Sequence, residues 1–264
     1  MGIKRGCRAL SVTPDAPAQW HDVIDSTNEE ARRLATSGTY GPLWIAARQQ
    51  TAGRGRLGRS WVSPAGNLFC TALFREPAGV GVATRFPFAA GLTVTDICSM
   101  LVPGADVRLK WPNDVRVSGA KLCGILVEAG QVRTGGSWVA TGMGINVRNA
   151  PERAGQAATS LADLGAADLV TADVVLDALR PAFANRIRQA REDFPSLLQD
   201  WEAKAEALGQ QVTTGKGAEA VSGTFVGLAA DGGLKLQLSD GSQRIIRAGD
   251  VELVKEVGGH AARD

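Results

Sequence analysis

Histidine is almost missing from this chain: two occur in 264 residues, His21 near the start and His260 in the polar tail. A Ser/His/Asp triad or a multi-histidine metal site has almost nothing to work with, so catalysis must run on carboxylates, lysine, arginine and a bound cation. Cysteine is nearly as scarce. Cys7, Cys70, Cys98 and Cys123 lie far apart with no CxxC pairing, which indicates neither a zinc site nor a disulfide framework; they read as reduced, small core residues. Long hydrophobic runs are also absent, for no stretch reaches the ~18 apolar residues of a membrane span. The start, MGIKRGCRALSVTPDAPAQ, has no apolar core of signal-peptide length. The expected location is the cytoplasm, away from membranes. Excess charge is lacking too: 29 Lys plus Arg stand against 27 Asp plus Glu, a net +2, with no overall pull toward nucleic acid or anionic lipid. Any basic function must be local.

What is present suits a globular chain of one or two domains, with 44% hydrophobic and 21% charged residues. Residues 1–18, with two prolines and no period, read as a flexible leader too short for a helical DNA-binding domain. In DSTNEEARRLATSG, Ser26 and Glu29 form a capping box, Ala31, Leu34 and Ala35 give an apolar stripe, and Gly38 supplies the stop. LWIAARQQ and NLFCTALF are β-rich runs, Pro87 to Leu101 fits a helix packed on a sheet, and four further β runs follow from Val107 to Val147. Their short glycine-bearing connections predict antiparallel neighbours. The small, polar stretch after Val147, to about Ala158, reads as a mobile loop, and 172 to 208 as helix broken or kinked at Pro181 and Pro195. Short strands joined by Asp231-Gly232 and Asp240-Gly241 turns then predict a small β-barrel over 210–264, behind a main domain over 19–209.

Two segments carry chemistry. QTAGRGRLGRSW, Gln50 to Trp61, satisfies G-x-G-x-x-G at Gly53, Gly55 and Gly58 and nearly satisfies the phosphate loop, with Arg59 in the lysine position. Both signatures require a helix immediately afterwards, because the phosphate sits on that helix's N-terminus. Pro64 and Gly66 forbid one, and NLFCTALF reads as strand. A solvated loop between two strands is the plain alternative. A loop with Arg54, Arg56 and Arg59 beside Gln50 and Trp61 otherwise suits a small enclosed anion held bidentately. The second segment, RLKWPNDVRVSGAKLCGILVE, places a rigid Trp-Pro-Asn-Asp corner between β runs, with Lys110 before it and Lys121 after the next turn. The plain alternative there is a turn with a weak surface ion pair.

With DSTN at Asp25 to Asn28, QQTAGRGRLGRSW at Gln49 to Trp61, KWPNDV at Lys110 to Val115, KLCGILVE at Lys121 to Glu128 and GMGINV at Gly142 to Val147, in that order, the chain resembles the biotin protein ligases. The resemblance implies an α+β fold, a mixed, largely antiparallel sheet packed with helices as in class II synthetases and biotin-lipoate ligases, followed by an SH3-like barrel. It implies biotin and MgATP as substrates, a biotinyl-5′-adenylate intermediate, and transfer to a lysine of a biotin carboxyl carrier domain by a monomer or homodimer. Ser26, Thr27, Asn28 and Gln50 would hydrogen-bond the ureido ring, with Gly53, Arg54, Gly55 and Gly124 along the biotin and Trp61 covering it. Arg56 would touch the acyl phosphate, and Arg54, Arg59, Lys110, Asn113 and Asn146 would face the nucleotide. Lys121 would bind the carboxylate and α-phosphate; Asp114 would orient the incoming lysine or help hold Mg²⁺, which Asn146 would also approach. The loop after Asn146 carries no aromatic to stack on adenine, and the helix-turn-helix of the repressor ligases is missing, so DNA binding is not expected. A lipoate or octanoate ligase of the same fold, or a non-catalytic biotin or nucleotide sensor, are the competing functions; intact Lys121, Asp114 and both arginines speak against the latter.

Overall fold

The computed structural model describes residues 14–151, 156–215 and 220–254; Cys7 and His260 lie outside them. Two parallel strands start the main sheet. β1 (Ala18–Ile24) runs beside β2 (Leu43–Gln50), with Ala18 opposite Trp44 and Ile24 opposite Gln50, and α1 (Thr27–Thr36) crosses between them. β1 overlaps the end of the expected leader, and order reaches further back: Ala16 is buried and its carbonyl accepts from Arg180 Nη2 at 2.8 Å.

α1 begins at Ser26, whose hydroxyl accepts weakly from Glu29 N at 3.5 Å. The expected capping box is only half made. Ser26 N takes Asp25 Oδ1 at 2.7 Å instead, because the Glu29 carboxylate turns outward to Arg32 and Arg54.

β3 (Leu68–Glu76), β4 (Val107–Lys110), β5 (Asp114–Val117), β6 (Ala120–Gln131) and β7 (Ser137–Ile145) complete a seven-stranded sheet of order β1-β2-β3-β7-β6-β5-β4, antiparallel from β2 onward. β3 is buried nearly throughout because both its faces are covered. On one side α1 packs Ala31 and Ala35 against Ile45, Leu73 and Ala140. On the other lie α2 (Phe86–Leu101), α3 (Ala172–Glu192) and α4 (Phe194–Glu202), where Phe183 meets Trp44 edge-on at 5.4 Å and Phe74 at 6.3 Å. Cys70, Cys98 and Cys123 are buried free thiols of this core; burial pushes Cys98 up to about 12.

Pro181 does not break α3. It lies on the exposed face, where the carbonyl deprived of its amide partner can turn to water, so the helix runs on through it. The break falls at Asp193, whose side chain accepts from Ser196 N at 3.1 Å, and Pro195 sits in the first turn of α4, where no donor is needed. After Glu202 the chain leaves helix, and residues 204–206 pair with Leu109 along the β4 edge.

The tail forms a second, antiparallel sheet of β8 (Gln211–Thr214), β9 (Val221–Leu228), β10 (Leu234–Gln237), β11 (Gln243–Ile246) and β12 (Val251–Leu253), in the order β11-β10-β9-β8-β12. It is fastened to the main body where Trp111 Nε1 donates to Gly232 O at 3.0 Å and Glu202 accepts from Leu228 N.

Candidate active site

A cleft partly open to solvent lies over the ends of β2, β6 and β7, beside the N-terminus of α1. Its floor depends on glycines. Gly124 and Gly144 are register partners on β6 and β7, and the Trp61 indole lies on both; a Cβ would stand 2.7 and 2.6 Å from it. Gly142, two residues along, gives way to Asn28, whose Oδ1 would be 1.9 Å from a Cβ there. Gly142→Ala is therefore expected to cost about 1–3 kcal/mol by overpacking. The midpoint of urea unfolding reads this directly, and an unchanged midpoint would show that Asn28 has room to move.

One end of the cleft is polar and built by α1. Thr27 N donates to Gln50 Oε1 at 2.8 Å, Gln50 Nε2 donates to Ser63 Oγ at 3.0 Å, and Thr71 Oγ1 lies 2.8 Å from Thr27 Oγ1 and 2.7 Å from Asn28 Oδ1. Thr27 and Asn28 are almost fully buried, yet both line the cavity with Ser26 and Gln50.

The glycine loop forms the wall. As the flanking proline and strand predict, no helix follows it: a single 3-10 turn, Arg56–Gly58, is closed by Gly55 N to Arg59 O at 2.7 Å and Trp61 N to Gly53 O at 2.8 Å. Gly53 faces away from the cavity, packed against Trp61 O, Ser63 and Gln50, while Gly55 lines it. The three loop arginines point to different places. Arg54 bridges Glu29 at 3.0 Å and Glu128 at 3.2 Å beside α1. Arg56 donates to Asn113 Oδ1 at 3.1 Å and Gly249 O at 3.4 Å, and Arg59 pairs with Asp250.

Opposite stands the Trp-Pro-Asn-Asp corner. Asn113 Nδ2 donates to Ile125 O at 2.7 Å, tying the corner to β6 and aiming its Oδ1 at Arg56. Asp114 Oδ1 meets Lys121 Nζ at 2.8 Å, both side chains only 14% exposed, and the ammonium lies 5.3 Å over the Trp61 ring. Lys110 reaches Glu252 at 3.1 Å. Thus the structure brings Arg56, Arg59, Lys110 and Lys121 to one cavity, where carboxylates of β5 and of the tail sheet hold them apart from one another.

Asn146 is placed differently from the rest. Buried, it donates through Nδ2 to Lys121 O at 3.3 Å and Thr159 O at 3.0 Å, and it borders a small neighbouring pocket with Trp61 and Gln156. The stretch after Val147, read as a mobile loop, is pinned at its far end: Lys121 N donates to Ala157 O and Thr159 N to Lys121 O. Residues 152–155 of it lie outside the described part.

Some lining groups escaped the sequence reading. Asp250 and Glu252 reach the cavity from the tail sheet, and Glu128 joins Asn28 to Arg54. The tail pair had no local signal; Glu128 closes the KLCGILVE motif, and its position on the same strand as Lys121 was the available clue.

Among known proteins, the Biotin/lipoate A/B protein ligase family matches residues 20–146 and the Biotin protein ligase C terminal domain matches residues 207–254. A biotin--[acetyl-CoA-carboxylase] ligase of Paracoccus denitrificans is 38% identical over 237 residues, spanning 86% of this chain and 96% of that protein. One from Mycobacterium tuberculosis is 37% identical over 232 residues, 86% of this chain and 85% of that one. The solved biotin protein ligase of Aquifex aeolicus in complex with biotin and ATP superimposes with a TM-score of 0.75 at 28% identity, covering 90% of this chain and 98% of that one. A mixed sheet with a glycine-floored cleft, a small tail sheet and relatives alike over nearly their full length agree: this chain belongs to the biotin protein ligase family.

Proposed function

We propose that this chain is an ATP-dependent biotin protein ligase, which joins biotin to ATP as biotinyl-5′-AMP with release of pyrophosphate and then passes the biotinyl group to a lysine of a biotin carboxyl carrier domain. The observation that carries the reading is the Lys121–Asp114 pair at 2.8 Å, set between a polar helix N-terminus and a cluster of guanidinium groups in one cavity. The acceptor follows from relatives named as biotin--[acetyl-CoA-carboxylase] ligases.

The first step brings a carboxylate against a polyanion, so like charges must be cancelled before an oxygen can reach the α-phosphorus. On this reading Lys121 touches both the carboxylate and an α-phosphate oxygen, and Arg56, Arg59 and Lys110, which line the same cavity, face the nucleotide. Incoming phosphates exchange places with Asp250 and Glu252 as partners of these cations. Mg²⁺ would come with the nucleotide and sit near Asp114 or Asn146; Asp114 Oδ1 pairs with Lys121 at 2.8 Å. In the second step the acceptor amine attacks the acyl carbon and AMP leaves; Asp114, beside Lys121, would orient that amine or help hold Mg²⁺. Ser26, Thr27 and Gln50 supply the polar end for a cyclic urea, with Trp61 as the apolar wall.

The decisive measurement is exchange of labelled pyrophosphate into ATP. Exchange is expected with biotin present and not with lipoate; exchange driven by lipoate would transfer the assignment to the lipoate branch. No helix among the described residues is long and apolar enough to cross a membrane.

A further inference from the structure

The segment that follows the glycine loop and the segment that follows Asn146 are laced together at one side chain. Asn67, 1% exposed and immediately before β3, accepts through Oδ1 from three successive amides: Val147 N at 2.9 Å, Arg148 N at 3.0 Å and Asn149 N at 3.0 Å. Its Nδ2 donates to Asn149 O at 2.8 Å. This orientation follows from chemistry, since three N–H groups need an acceptor and a carbonyl needs a donor. Successive amides aimed at one point form a concavity of the kind that binds anions; here the protein's own amide oxygen fills it. Gly66, at φ +92°, lets the two segments approach, for a Cβ there would stand 3.2 Å from Arg148 Cβ. The turn has other ties: Ala162 N to Val147 O at 2.9 Å, Asn149 Nδ2 to Ala65 O at 2.8 Å and the Arg148–Asp168 pair at 3.2 Å. None of them takes an amide proton of 147–149, so among the described residues that task falls to Asn67.

We propose that Asn67 is a positioning residue for the nucleotide half of the site: by gathering these amides it fixes the turn that carries the chain from Asn146 to Pro151. Those two residues line the small pocket beside Lys121, together with Trp61 and Gln156. Asn146 is held in its own place by Leu122 O, Lys121 O and Thr159 O, whatever Asn67 does. Pro151 has no N–H with which to anchor itself, so the turn before it sets its distance from Lys121. Asn67 therefore acts on the width of this pocket, from a place that touches neither substrate. The inference rests on Asn146 and Lys121 facing ATP.

The test is the KM for ATP in biotin-dependent pyrophosphate exchange, beside biotin affinity without ATP by calorimetry, for Asn67→Leu and Asn67→Asp. Leu has a similar branched shape and no acceptor; Asp keeps an acceptor for the three amides and gives up only the donor to Asn149 O. Asn67→Leu is expected to raise the KM for ATP by about tenfold or more and to leave the Kd for biotin within about twofold of wild type, while Asn67→Asp keeps the KM within about threefold. Hydrogen exchange should quicken at the amides of 147–149 in Asn67→Leu and stay as it was along β7. An unchanged KM for ATP or unchanged exchange at those amides in a folded Asn67→Leu protein, equal rises of KM in both variants, or a matching loss of biotin affinity overturns the proposal, the last by showing a general structural role. Should Asn67→Leu fail to fold, Asn67→Ser, whose shorter side chain cannot span all three amides, takes its place, with the same split expected and the same results overturning it. Wild-type protein that exchanges no pyrophosphate with biotin present would instead overturn the function assignment.

Discussion

Lys121→Ala is expected to slow biotin-dependent pyrophosphate exchange by roughly 10²–10³-fold, the usual loss when one preorganised charge-stabilising donor is removed from an enclosed site. The strand should survive the change. Lys121 is anchored through its backbone, N to Ala157 O and O to Thr159 N, so only the ammonium is lost. Asp114, 14% exposed, is left without that partner, a cost of about 1–3 kcal/mol that urea unfolding can separate from catalysis. Lys121→Arg should not restore the rate, because a planar fork cannot replace a compact ammonium seated 5.3 Å over the Trp61 ring. Exchange within tenfold of wild type in a folded Lys121→Ala protein would remove this residue from the chemistry.

The second large effect concerns retention of the intermediate. Arg56→Gly removes the side chain that fastens the glycine loop to Asn113 and to Gly249 of the tail. Two charge-assisted hydrogen bonds disappear at once, so release of biotinyl-5′-AMP should speed up by about 10–100-fold while its synthesis falls less than tenfold. The freed adenylate should acylate exposed lysines of bystander proteins. Rapid filtration gives the release rate, and mass spectrometry of an added inert protein gives the stray biotinylation; a release rate equal to wild type would show that Arg54 and Arg59 hold the loop without Arg56.

The central antiparallel strands could be read from the sequence because alternation and glycine turns are local signals: Ser118-Gly119 and Thr134-Gly135-Gly136 lie between strands that pair directly. β1 could not, since AQWHDVI is half polar and its partner β2 begins only after an intervening helix. The course of α3 through Pro181 was illegible for another reason: proline breaks a helix where its lost bond is buried, and burial is decided by tertiary packing. In the site, the motifs between Asp25 and Val147 declared themselves. Gly53 is the residue whose part differs most, bracing Gln50 and Ser63 from behind the cavity. Asp250 and Glu252 were invisible because their partners Arg59 and Lys110 are 191 and 142 residues away in the chain.

The parallel pairing of β1 with β2 has an architectural consequence. Both strands point their carboxyl ends at the cleft, so the turn that starts α1 and the loop from Thr51 leave the sheet at the same edge, as in other folds where ligands gather at the ends of parallel strands. The return connection from α1 to β2 lies at the opposite edge, and Gly38 at its start has open space around it. The unit therefore separates its working edge from a far edge whose connection is open at Gly38 and closes tightly at Gly41, where a Cβ would stand 1.9 Å from Leu73 O.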